Sequence, residues 1–196
     1  MSEPTFTAEA LAAPDLRPGD SWTFSVHGDD AAAVLVRSRV VAVDADGVEL
    51  EVCRGEEGWL RTRLDPLLGV RERELAPGDS LRYEPALAQL RFPLRVGQRW
   101  SATLRRSQEL WWQDDELHTE GEVLGTAWVE VPAGRFAAVQ LRFVCTLRQA
   151  RIDAELWYAP AAARIVRGIE LTRGADDEVG ARVEYLLQEL NRLRPT

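Results

Sequence analysis

The chain contains no lysine; all 24 of its basic residues are arginine. It has a single asparagine, Asn191, and only two histidines and two cysteines. Two cysteines with no CxxC pair exclude a zinc site built on thiolates. Cys53 and Cys145 can form one disulfide in an oxidising compartment or pack as two free thiols, and both readings stay open. Two isolated histidines, His27 and His118, exclude the H-E-x-x-H metal motif. No G-x-S-x-G elbow and no phosphate-cradling glycine loop is present. No run of 18 apolar residues occurs, so no transmembrane helix is expected. The first residues, MSEPTFTAEALAAPDL, lack a basic start followed by an apolar stretch and do not read as a signal peptide. The protein is cytoplasmic on that reading, or periplasmic if an export signal has been removed.

Positive charge is also in deficit. The net charge is −8, and the arginines are interspersed with acids along the chain. Nucleic acid needs a clustered positive field, so no nucleic-acid partner is expected. The absence of a catalytic or metal-binding constellation leads to a non-enzymatic reading with no cofactor and no metal.

What the sequence has is strand periodicity. Its 196 residues suit one domain, which at this size buries about 70% of the surface that the unfolded chain exposes. Trp22, Phe24 and Val26 alternate with Ser21, Thr23 and Ser25 after the Pro18-Gly19 turn signal. Val48, Leu50 and Val52 oppose Glu49, Glu51 and Cys53 after Asp46-Gly47, which places Cys53 on a wet face as the more exposed thiol. Similar alternation recurs to about Leu190. Two places are ambiguous. Ala86–Phe92, between Pro85 and Pro93, reads as a short helix or as a segment plugging a barrel end. ARVEYLLQELNRL fits helical spacing, but its neighbours favour a strand.

The phrase LRPGDSW, Leu16–Trp22, returns as LRVGQRW, Leu94–Trp100. Each copy sits where a loop becomes a strand, with Gly for the turn and Trp as the first inward anchor. A duplicated meander accounts for this. The expected organisation is an N-terminal arm over 1–15, one β domain over 16–190 with halves of about 16–92 and 94–190, and a tail over 191–196. The fold class is mainly β: a single curved antiparallel sheet or half-open barrel with little helix.

Two clusters bear on function. QDDELHTEGE holds Asp114, Asp115, Glu116, His118, Glu120 and Glu122. It reads as a solvated acidic loop at a hairpin rather than a calcium or zinc site. Seven tryptophans exceed ordinary usage. Of the adjacent pair Trp111-Trp112 one must face away from the core, while Tyr158 is expected inward and Trp157 outward. Trp22, Trp100, Trp112, Phe143 and Tyr158 are the expected apolar lining of a ligand site.

The segments LRFPLRVGQRW, VEVPAGRFAAVQL and ELWYAP followed by RIVRGIEL resemble a loosely defined group of bacterial β-rich proteins, often exported. Their folds are similar to the half-open barrels of the LolA, LolB and LppX lipoprotein-carrier type. The resemblance covers roughly residues 16–190 and is strongest from Leu90 to Leu171. The chain departs from the pattern in lacking a lipobox cysteine near its start and in having Ala161-Ala162-Ala163 where a glycine is expected. The resemblance implies a curved sheet around an apolar hollow able to hold a lipid or acyl chain, with no catalytic residue. The alternative is an interaction or scaffold module with a self-filled core, meeting a protein partner or a second copy through a sheet edge, and a hydrolase or metal-dependent enzyme is the third reading.

Overall fold

The computed structural model describes residue 4 and residues 10–29, 32–108 and 113–192. All regular structure among them is β, in twelve strands. The first half supplies β1 (Ser21–Gly28), β2 (Val34–Asp44), β3 (Gly47–Arg54), β4 (Leu60–Leu64), β5 (Val70–Ala76) and β6 (Asp79–Leu87). The second supplies β7 (Arg99–Gln108), β8 (Gln113–Val131), β9 (Gly134–Thr146), β10 (Ala150–Ala159), β11 (Arg164–Gly174) and β12 (Val179–Asn191). Each strand pairs antiparallel with its sequence neighbours, and β1 pairs with β12, so the sheet closes into a barrel. Among the described residues the open edge expected for a protein partner is therefore absent: β1 and β12, which would have supplied it, satisfy each other from Ser21↔Asn191 to Gly28↔Val183.

The alternation seen in the sequence is what decides the two faces. Outward residues form cross-strand ion pairs, such as Arg39 with Glu51, Arg99 with Glu122 and Arg167 with Glu184. Arginine presents a planar fork to a carboxylate on the next strand, which suits a ladder of this kind. Such an outer face is the opposite of the apolar belt that a membrane barrel turns to lipid. No helix among the described residues is long and apolar enough to cross a membrane.

Both copies of the repeated phrase build the same turn. The N–H groups of Asp20 and Gln98 each donate to the carbonyl of the arginine three residues earlier, both at 3.0 Å. Their side chains accept from that arginine's N–H, at 3.1 and 2.9 Å. Gly19 and Gly97, with φ of 97° and 80°, donate to the carbonyls of Val40 and Val123, both at 2.9 Å. These are left-handed positions that glycine takes without strain. A bulge follows each acceptor, at Val40/Ala42 and at Val123/Gly125. The expected glycine after Ala159-Pro160 is replaced by Ala163, which adopts φ 53° and is 1% exposed. A small residue fits there because the turn is packed beneath the barrel.

The interior is packed at one end. Leu90, Phe92 and Leu94, from the segment between β6 and β7, are buried with Trp100, Leu104, Leu117 and Tyr158. Of the two readings of this stretch, the plug is the one observed. Leu11 exchanges both backbone hydrogen bonds with Leu94, at 2.9 and 2.8 Å, and so joins the plug. A second cluster gathers Leu16, Trp22, Leu50, Leu64, Ala162, Val166 and Leu187.

Two local expectations are corrected. Cys53 is buried, because residues 55–58 fold back over it and its thiol donates to the Glu57 carbonyl at 2.9 Å. Both cysteines are free and buried. The acidic segment is no loop. Asp114–Glu122 lies inside the 19-residue β8, antiparallel to the arginine-bearing β7. Its acids pair across the strands, Asp114 with Arg105, Asp115 with Arg106 and Glu122 with Arg99.

Candidate functional site: a polar centre inside the barrel

Directly opposed residues on neighbouring strands share a face. Leu156, Gly168, Tyr185 and Val26 are successive partners around the wall, and Leu156 is fully buried, so all four point inward. Leu50, Thr62, Arg73 and Leu81 form a second such row, and Phe143, Ala154, Glu170 and Val183 a third. Two charged residues thus stand in register with core leucine and alanine.

At the end opposite the plug the inward face is wet. Val26, Val36, Leu60, Leu81, Ile152 and Val183 are inward yet half-exposed, and Arg73 is exposed. A side chain pointing into a closed barrel reaches water only where the inside is open. Two deeper residues make the same point. Arg164 and Tyr185 are enclosed by protein mass, and each still keeps part of its surface accessible. They border a hollow.

Several polar groups converge on that hollow. The Arg164 guanidinium lies 5.2 Å from the centre of the Trp22 ring and within electrostatic reach of Tyr185 and Arg73. Burial lowers its pKa to about 10. Burial raises the Tyr185 hydroxyl, with the Glu170 carboxylate adding to the effect and Arg164 opposing it. The Glu170 carboxyl is raised by burial, against the field of Arg73 and a hydrogen bond from Gln89. Tyr83 is raised by burial and opposed by Arg73 and Arg106. Tyr185 lies on Gly168, where a Cβ would fall 2.0 Å from its Cζ. Phe24 meets it edge to face at 6.4 Å.

Of the residues expected to line the site, Trp22 is 1% exposed and donates its indole N–H to the Ala162 carbonyl at 2.8 Å. It forms the floor beneath Arg164. Trp100, Phe143 and Tyr158 are buried together in the plugged cluster. Trp100 covers Gly121, and Tyr158 meets Phe92 at 5.4 Å. Burial pushes the Tyr158 hydroxyl up to about 12. Trp157 is half-exposed beneath Arg167 on the outer face, as alternation indicates. Trp111 and Trp112 lie outside the described residues.

The sequence reading missed Arg73, Glu170, Arg164 and Tyr185. On β11 the apolar Ile169 and Leu171 face outward, opposite Glu155 and Asp153, while Gly168, Glu170 and Thr172 face inward. The binary pattern is inverted there, so hydrophobicity alone selects the wrong face. A glycine and a glutamate spaced by two, in phase with buried residues of β10, are the only trace in the sequence.

The outer surface of β2–β7 also carries a groove of about 1090 Å³, bordered by Glu49, Arg63, Glu72, Arg82 and Arg105. Its charges answer one another: Glu49 with Arg61 and Arg63, Glu72 with Arg63 and Arg82. Ser80 and Arg82 hold the Glu72 carboxyl below its ordinary value, against the opposing effect of burial. Among the described residues no three His, Cys, Asp or Glu side chains converge into a metal set.

No known protein family matches the chain, and no curated protein matches it. Solved structures do resemble it. A Bacteroides fragilis protein described as exported, with a YmcC-like fold, superposes with a TM-score of 0.60 at 16% identity, covering 93% of this chain and 100% of its own. A Parabacteroides distasonis protein described as a lipoprotein gives 0.56 at 12% identity, covering 94% and 100%. The hypothetical lipoprotein YmcC of Escherichia coli K12 gives 0.53 at 12%, covering 95% and 90%. The likeness is one of fold: the chain shares the YmcC-like barrel across nearly its whole length.

Proposed function

We propose that the protein is a non-enzymatic binding protein that holds a hydrophobic ligand, a lipid or acyl chain, in the hollow of its barrel. The observation that carries this reading is the row of inward, half-exposed apolar residues at the unplugged end, Val26, Val36, Leu60, Leu81 and Val183. Residues in that position cost hydration free energy unless something covers them. Each methylene of an entering chain contributes about 0.8 kcal/mol on burial. Trp22, Trp100, Phe143 and Tyr158 serve as the rigid floor and walls behind the lining. The proteins of like fold are described as exported or as lipoproteins, which supports a periplasmic setting.

The competing reading is a scaffold module. Its support is on the outside, where Trp59 and Trp128 are 42% and 44% exposed. Arg39 and Arg135 each stack on one of these rings at 4.6 Å, which already covers part of them. The deciding experiment is binding of the neutral fluorophore N-phenyl-1-naphthylamine to delipidated protein, with native mass spectrometry of protein purified without detergent. Saturable fluorescence enhancement and a co-purified lipid are expected. Absence of both would give the scaffold reading the field.

A further inference from the structure

Arg164 is the least ordinary group in the interior. It is enclosed by protein and makes no hydrogen bond or ion pair with any described residue; its guanidinium lies 5.2 Å from the centre of the Trp22 ring. An enclosed guanidinium without an oxygen partner costs several kcal/mol unless water or a ligand satisfies it. The nearby acids do not serve it. Glu170 is held by Gln89 and stands beyond ion-pair distance of both Arg164 and Arg73, and Asp115 is engaged by Arg106. Arg73, on the facing wall, likewise has no carboxylate within ion-pair reach among the described residues. Two arginines without an ion pair among the described residues and the Tyr185 hydroxyl thus face one accessible space, and the acid that shares it, Glu170, already accepts a hydrogen bond from Gln89.

We propose that Arg164, supported by Arg73 and Tyr185, is the head-group site for an anionic amphiphile whose head is a carboxylate or a phosphate monoester. The proposal rests on the hydrophobic-ligand reading above and adds the charge of the ligand and the direction in which it lies. The guanidinium fork donates to two oxygens of a planar or tetrahedral anion side by side. Trp22 beneath it fixes the orientation of the fork. The tail then runs away from the plug, along Phe24, Val26, Val36 and Val183, towards the open end. The ligand enters tail-outward, with its charge buried deepest.

The test is displacement of N-phenyl-1-naphthylamine from delipidated protein by palmitate, by a lysophosphatidic acid and by hexadecanol. Palmitate is expected to displace at a concentration about tenfold or more below that of hexadecanol, as a charged hydrogen bond gives. Arg164→Gln removes that preference, so that palmitate and hexadecanol displace the fluorophore at similar concentrations. Arg164→Lys retains part of it. Arg73→Gln, at an exposed side chain, lowers it by about threefold. The lysophosphatidic acid arm separates the two head groups: stronger than palmitate assigns a phosphate, weaker a carboxylate. Equal potency of palmitate and hexadecanol on the unaltered protein overturns the proposal while the binding reading stands, and so does a preference that survives Arg164→Gln. If neither the fluorophore nor hexadecanol binds, the binding reading itself falls and the proposal with it. Loss of all binding together with a lower melting temperature in Arg164→Gln marks Arg164 as structural and also overturns it.

Discussion

Replacing Gly168 by alanine tests whether the inward face is where the register places it. A Cβ at this position would lie 2.0 Å from Cζ, 2.3 Å from Oη and 2.5 Å from Cε1 of Tyr185, contacts that no packed structure tolerates. The ring must move. Because Tyr185 borders the hollow, it has room to swing, and the cost should be at the low end of the usual overpacking range, about 1–2 kcal/mol. Gly121 sets up the same geometry under Trp100, with Cε2 and Cζ2 each 2.1 Å from the added Cβ. Trp100 is only 8% exposed and sits in the plugged cluster, so Gly121→Ala should cost more, about 3 kcal/mol. Gly125 is the control, since nothing lies within 4 Å of its Cβ. Its alanine variant should fall within about 0.5 kcal/mol of the parent. Urea unfolding at equilibrium reads all three, and 1 kcal/mol corresponds to about 2–4 °C in melting temperature for a chain of this size. The displaced Tyr185 ring would also occupy the hollow, so Gly168→Ala should weaken fluorophore binding and Gly121→Ala should not. Equal stabilities for the three variants, or a loss at Gly125 as large as at Gly121, would refute the assigned faces.

Three further outcomes are expected. Trp22→Phe removes the donor to the fully buried Ala162 carbonyl and should lower stability by about 1–3 kcal/mol in the same unfolding assay. Burial raises the Glu170 carboxyl despite Arg73 and Gln89, so the folded state keeps a proton that the unfolded chain has already released. Its stabilising contribution is complete below the ordinary glutamate value and is lost as pH rises through the raised one. Glu170→Gln should therefore melt higher than the parent at about pH 8 and no higher at about pH 4. Cys53 and Cys145 are both buried, and burial raises the Cys145 thiol, so titration with a chromogenic disulfide should be slow in native protein and complete in urea.

Much of the fold was legible because period-two alternation and turn residues act locally. The strand following Trp22, the Asp-Gly hairpin before Val48 and the inward phase of Ala154, Leu156 and Tyr158 each follow from a few adjacent residues. β12 took strand form although its leucines fit a helix, because its pairing with β1 and β11 is a tertiary matter. Features of the candidate site and its surroundings were less legible for a physical reason. An acidic run looks like a loop until the facing strand is known to carry arginine. Glu170 looks like a surface residue because the outward Ile169 and Leu171 beside it are the apolar ones. Arg164 follows a turn and belongs to no alternation, so only the closed barrel shows that it has nowhere to go but inward.

Closure through β1 and β12 also constrains how the protein comes to exist. β1 finds its second neighbour only when β12 has been made, so the growing sheet carries two raw edges until then. Loss of β12 would restore those edges permanently and invite end-to-end association of truncated chains. The plug, by contrast, is in hand halfway along, and gives the early strands something apolar to gather around while they wait.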